Sequence, residues 1–116
     1  MFNLIVYVQL LDGPSENEGR LEYFTEAGWT SVCDNNFNDI NAQVVCAEIG
    51  LDGGLSIGGG LYGPGPSGIF MSEIDCNGTE EKLSYCPTGV LNTCTHDEDI
   101  SVVCGMRYLL NYILSY

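Results

Sequence analysis

A chain of 116 residues has room for one domain with a modest hydrophobic core. Its 16 acids stand against 3 bases, Arg20, Lys82 and Arg107, giving a formal net charge of −13. That excludes nucleic acid and direct binding to anionic membranes, which need clustered Lys or Arg to displace counterions, and favours cationic protein patches or calcium.

The chain begins with MFNLIVYVQLL, which is apolar but lacks a basic leader region and a small-residue cleavage site. It is too short to span a bilayer, as is MRYLLNYILSY at the other end. Residues 1–5 read as an N-terminal extension and 105–116 as a C-terminal tail, flanking a domain at 6–104. If exposed, these apolar ends would favour self-association or packing on a neighbouring domain.

VYVQLL (6–11) and RLEYF (20–24) predict strands separated by the turn-rich DGPSENEG, with Leu21 and Tyr23 alternating with Glu22 as in a half-buried sheet. WTSVC (29–33) predicts a third strand. In NDINAQVVCAEIG the period becomes helical: Asp39 caps, Gly50 stops, and Ile40, Val44, Val45 and Ile49 form one apolar stripe that keeps Cys46 near the core. The tract LDGGLSIGGGLYGPGPSG (51–68) has no GKS or GKT ending and no G-x-G-x-x-G set between a strand and a helix, so it reads as a surface loop with tight turns. IFMSEIDC (69–76) returns to strand character. TEEKLSYC (79–86) predicts one or two helical turns, with Thr79 as N-cap and Glu80 and Glu81 complementing the dipole. ISVVC (100–104) predicts the last strand.

Six cysteines, Cys33, Cys46, Cys76, Cys86, Cys94 and Cys104, are an even number in a short chain, without a C-x2-C pair and with a single histidine to assist zinc. This pattern favours the disulfide framework of an oxidising compartment. Each bridge would contribute roughly 3 to 4 kcal/mol by loop entropy. Spacing supports only one pairing, Cys76 with Cys86, out of the fifteen connectivities that six cysteines allow. Asn77, Gly78 and Thr79 form an N-glycosylation sequon that also suits a turn and cap.

The segment THDED (95–99) holds His96, the only histidine that could serve as a base. Bridged thiols leave no cysteine nucleophile, and nothing indicates a cleft between two carboxylates, so the chain does not read as an enzyme.

Five blocks, EGRLEYF (18–24), GWTSVCDNNFNDINAQVVCAEIGL (28–51), YGPGPSGIFMSEIDCNGTEEKLSYC (62–86), THDED and ISVVC, together resemble the scavenger receptor cysteine-rich (SRCR) domain family. The resemblance is to the six-cysteine subgroup, group A, because the eight-cysteine form would need cysteines just before Gly19 and just after Gly50. It implies the bridges Cys33–Cys94, Cys46–Cys104 and Cys76–Cys86, and a small α+β domain whose curved antiparallel sheet cradles one main helix. The chain departs from the family pattern at WTSVC, where W-G-T-V-C is usual, at Phe37, where a tryptophan is usual, and at Asn35, where the second of two aspartates is usual.

The resemblance also implies a calcium site made by Asp34, Asn35 and Glu98, with the Cys33–Cys94 bridge joining its halves. Hard oxygen donors suit that ion, and an amide in place of one carboxylate sets the expected dissociation constant on the order of 10⁻⁴ to 10⁻³ M. A second, weaker cation site would draw on Glu73 and Glu80, with Ser72 standing where an acid or amide is usual. The competing reading of the acids is a solvated run or a local backbone cap. His96 is expected to be structural.

The function implied is an extracellular, non-catalytic recognition module, scavenger-receptor-like and serving adhesion or innate-immune recognition. It would be secreted or part of a receptor ectodomain, and would bind a protein or glycan ligand with calcium. Asp34, Glu98, Glu73 and Glu80 would meet a cationic patch, and an anionic ligand would come through bound calcium. The alternative is an accessory domain that packs on a neighbouring domain or associates with itself through the apolar ends.

Overall fold

Strand-forming residues in the first third of the chain pair as β1 (Val8–Ser15), β2 (Glu18–Thr25) and β3 (Gly28–Val32). The computed structural model describes residues 6–91 and 93–105, so the N-terminal extension and all but the first residue of the C-terminal tail lie outside the described residues. Val8 pairs with Tyr23 and Leu10 with Leu21, which puts these four on the core side. The expected turn DGPSENEG is shorter than its composition suggests: β1 continues to Ser15 after a register shift beyond Leu11. Gly13 permits this, because a Cβ there would lie 1.9 Å from the Glu18 carbonyl oxygen.

The one α-helix among the described residues, α1 (Asp39–Ile49), is capped one residue earlier than expected. Asn38 Oδ1 accepts from the Asn41 N–H at 3.0 Å, while the carboxylate of Asp39 accepts from the Ser56 N–H and hydroxyl. Gly50 ends the helix in the left-handed region at φ 97°, as expected. Val44, Val45 and Cys46 are fully buried, but Ile40 is 42% exposed, so the apolar stripe is narrower than the period implied.

The remaining strands are short: β4 (Leu55–Ile57), β5 (Ile69–Phe70), β6 (Ser72–Ile74), β7 (Thr88–Val90) and β8 (Ser101–Val103). The large sheet runs β4-β8-β2-β3-β5, with β1 also on β2, and is antiparallel except where β5 lies parallel to β3. β6 and β7 form a separate antiparallel pair. Three sequence expectations change here. The glycine tract contains β4, IFMSEIDC divides between two sheets, and β7 was not foreseen. In TEEKLSYC the helical turn is a 3₁₀ turn over Leu83–Tyr85, and Thr79 does not cap it: Lys82 precedes it without a side-chain cap.

The helix packs on β1, β4, β8 and that 3₁₀ turn. Two polar side chains fasten it. Buried Asn41 donates to the Ile74 carbonyl and accepts from the Cys76 N–H, both at 2.9 Å, while Glu48 accepts from the Leu83 N–H at 2.8 Å and the Tyr7 N–H at 2.9 Å. The bridges Cys33–Cys94, Cys46–Cys104 and Cys76–Cys86 all form, with Cα separations of 6.2, 5.5 and 4.7 Å. The first two close loops of 61 and 58 residues, and each removes on the order of 4 kcal/mol of unfolded-state freedom in the chain-entropy account.

Candidate cation site and its polar surround

β2 takes β8 against Glu18–Arg20 and β3 against Glu22–Thr25, so these two strands share one edge and meet end to end. The chain just before β8 threads the junction. Ile100 donates to the Val32 carbonyl at 2.8 Å and accepts from the Leu21 N–H at 3.0 Å, and Cys33 bridges to Asp99. This lays the 3₁₀ turn His96–Glu98 beside the turn that follows Cys33. The Asp34 N–H donates to the Glu98 carbonyl at 2.7 Å, with the Cys33–Cys94 bridge alongside.

The two carboxylates are held by backbone. Asp34 Oδ2 accepts from the Gly59 N–H at 2.8 Å, and Glu98 Oε1 accepts from the Thr95 N–H at 3.3 Å. A Glu98 carboxylate oxygen lies within 4.8 Å of both sulfurs of the Cys33–Cys94 bridge. Those sulfurs are oxidised and offer no thiolate, so the donors left are oxygens: Asp34, Glu98 and exposed Asn35. A set of carboxylates with an amide carbonyl is the donor chemistry of calcium rather than zinc. Beside it lies a cradle that a side chain would fill, since a Cβ on Gly58 would come within 2.8 Å of Asp34 Oδ2.

Glu73 and Glu80 are placed differently. Glu73 lies in β6 opposite Gly89. Glu80 turns onto its own loop, accepting from the N–H groups of Asn77 and Gly78 at 3.0 Å, and these backbone bonds, Asn77 first, hold its carboxyl below the usual range. Asn77 Oδ1 accepts from the Thr79 N–H and hydroxyl, which folds the exposed sequon into a tight turn.

His96 faces the sheet. Its Nδ1 lies 2.9 Å from Asp99 Oδ2 and 3.2 Å from Ser31 Oγ, and its Nε2 lies 2.8 Å from the Ser67 carbonyl oxygen. A carboxylate and a carbonyl both accept, so both ring nitrogens must donate, and the imidazolium fits the geometry. The hydrogen bond to Asp99 raises the pKa of His96, outweighing the opposing cost of burial. No nucleophile is activated by this arrangement: Ser31 and Asp99 share one ring nitrogen, and the other is spent on main chain.

Around His96 lies a polar layer that the sequence did not announce. Glu22, whose alternation with Leu21 and Tyr23 suggested a solvent-facing position, is buried with Arg20; the guanidinium Nε donates to Glu22 Oε2 at 3.0 Å and Nη1 to Asp12 Oδ2 at 2.8 Å. Burial alone would lower the Arg20 pKa, but the bonds to Glu22 and Asp12 leave it raised. The glycine-rich segment covers this layer. Gly65 N–H donates to Asp99 Oδ2 at 2.9 Å, Gly60 N–H to the Asp99 carbonyl at 3.1 Å, and Tyr62 hydroxyl to Glu18 Oε2 at 2.9 Å.

Among the described residues no helix is long and apolar enough to cross a membrane. A family model for the scavenger receptor cysteine-rich domain matches residues 11–105. Galectin-3-binding protein of Mus musculus is 38% identical over 101 residues, which is 84% of this chain and 18% of that protein. Lysyl oxidase homolog 2 of Gallus gallus is 38% identical over 101 residues, 85% of this chain and 13% of that protein, so the chain spans only a small part of both. Among solved structures, the third SRCR domain of murine neurotrypsin superposes with a TM-score of 0.81 at 31% identity, covering 84% of this chain and 94% of that one. The dimeric form of the SRCR domain of mouse MARCO gives 0.65 at 32% identity, over 76% and 86%.

Proposed function

The chain belongs to the scavenger receptor cysteine-rich domain family, and from that premise we propose an extracellular, non-catalytic recognition module that binds a protein or glycan ligand with calcium at Asp34, Asn35 and Glu98. The observation that carries the reading is the main-chain bond from Asp34 to Glu98 beside the Cys33–Cys94 bridge, which brings two acids remote in sequence to one place. With 16 acids against 3 bases, the surface attracts a cationic patch directly, while an anionic ligand reaches it through the ion. Asp34 and Glu98 are the first contacts in this reading. Glu73 and Glu80 form a weaker second contact, and Glu80 would have to leave the Asn77 and Gly78 amides to serve a cation. That relatives are named for binding galectin-3 supports a protein ligand. The oxidised cysteines and the exposed sequon support secretion or a place in an ectodomain.

A second reading is favoured by length. The chain spans 18% and 13% of two relatives, which suits an accessory domain packed on a larger neighbour, and the dimeric MARCO domain suits association between copies.

Thermal unfolding with and without calcium, on wild type and Glu98→Gln, tests the first reading. The glutamine keeps an oxygen for the Thr95 N–H while removing the charge. Calcium at ten times its dissociation constant should stabilise wild type by about 1.4 kcal/mol by mass action, and the variant much less. If several millimolar calcium moves neither melting curve, the calcium reading fails. A calcium-independent dimer in sedimentation would support the second.

A further inference from the structure

The glycine tract over the polar layer meets Asp34 at Gly58 and Gly59. Gly59 gives its N–H to Asp34 Oδ2, and a Cβ on Gly58 would stand 2.8 Å from that oxygen, 3.2 Å from Asp34 Cβ and 3.3 Å from its Cγ. The rest of the tract is pinned: Gly60 and Gly65 donate to Asp99, Tyr62 to Glu18, Arg20 reaches the Gly63 carbonyl at 3.4 Å, and His96 donates to the Ser67 carbonyl. With so many anchors the loop cannot back away from a new methyl group. The side chain of Asp34, with two free torsions, would have to give instead.

We propose that Gly58 and Gly59 form a positioning element for the cation site: Gly59 fixes Asp34 Oδ2 by its amide and leaves Oδ1 for the ion, and Gly58 is required because any side chain there would swing the carboxylate away. This rests on the calcium reading above and adds two residues to it. Gly58 is not in the left-handed region, so alanine there meets Asp34 without backbone strain, which makes it a clean probe. Gly68, in the same loop, has nothing within 4 Å of its Cβ position and serves as the matched control.

The test combines hydrogen exchange at the Gly59 amide in calcium-free protein with calorimetric titration of calcium. It uses wild type, Gly58→Ala, Gly68→Ala and Asp34→Ala. Asp34→Ala removes the acceptor without a clash and so sets the exchange rate of an unbonded Gly59 amide. In Gly58→Ala exchange should rise towards that rate and calcium affinity should fall on the order of tenfold, the size of losing one charge-assisted hydrogen bond and its geometry. Gly68→Ala should match wild type in both. The proposal is overturned if Gly58→Ala leaves Gly59 exchange and calcium affinity unchanged, or if Asp34→Ala itself does not speed exchange. If wild type binds no calcium the reading beneath it falls, and the exchange data alone then decide whether Gly58 orients Asp34.

Discussion

The Asp34 N–H donates to the Glu98 carbonyl at 2.7 Å, so the two acids are registered by main chain while their carboxylates stay on separate amides. Neighbouring Asn35 is exposed and carries no charge where a further carboxylate would strengthen the donor set. Asn35→Asp should tighten calcium binding on the order of tenfold, because affinity in such oxygen sites follows the count of charged ligands. Calorimetry would read it directly. An unchanged or weaker affinity would mean that residue 35 does not face the ion.

His96 supplies a pH test. Its folded pKa is raised, first by the hydrogen bond to Asp99, with Ser67 and Glu22 adding in the same direction. A raised value means that the stability it supplies is complete below the unfolded value of about 6.5 and is lost as pH rises through the folded one. In denaturant unfolding between about pH 6 and about pH 9, the stability gap between wild type and His96→Gln should narrow as pH rises. Taking the difference cancels the other titrating groups. A gap independent of pH would show that the ring is not an imidazolium paired with Asp99.

Much of this architecture was legible because each feature had a local cause. The helix showed its period and its terminal Gly50, and the strand pairs showed their apolar residues. What escaped depended on distant cover. Glu22 looked like a solvent-facing residue because its cover comes from a loop distant in sequence, with Gly65 close against its carboxylate. Ile40 looked like core because it shares a helix face with Val44, yet among the described residues it stays 42% exposed while Asn41 and Ala42 beside it are fully buried. Leu55–Ile57 has too few residues to show a period and becomes a strand only by pairing with β8. At the candidate cation site, Asp34, Asn35 and Glu98 were readable through the cysteines that flank them. The contacts of Gly58 and Gly59 with Asp34 were hidden in a tract that composition marks only as loop.

Asn77 offers a test of the compartment. Its side chain is exposed and already turned towards Thr79, the residue that completes the sequon, and no helix or strand includes it. Expressed through a eukaryotic secretory route, the protein should carry a glycan at this position that peptide N-glycosidase removes and Asn77→Gln abolishes. Intact mass would report it. Because Asn77 Oδ1 also accepts two bonds from Thr79, Asn77→Ala should in addition loosen the turn by about 0.5 to 1 kcal/mol, the usual size of a lost local side-chain bond.

Arg20 and Glu22 carry the largest expected cost. Their side chains are 3% and 2% exposed, and they pair at 3.0 Å, whereas the second partner of Arg20, Asp12, is 63% exposed. Solvent screens the Asp12 contact, so Asp12→Ala should cost less than about 1 kcal/mol. Arg20→Met would leave the Glu22 carboxylate buried without its partner and should cost about 3 to 5 kcal/mol, while Arg20→Met with Glu22→Met removes both charges and should recover most of it. Guanidinium midpoints at constant slope would rank the three. The same ranking should appear in calcium affinity, because Gly65 sits against this pair and the loop that carries it also holds Gly59 on Asp34. If Arg20→Met costs no more than Asp12→Ala, the pair is not desolvated, and the loop owes its position to its bonds with Asp99, His96, Glu18 and Asp34 instead.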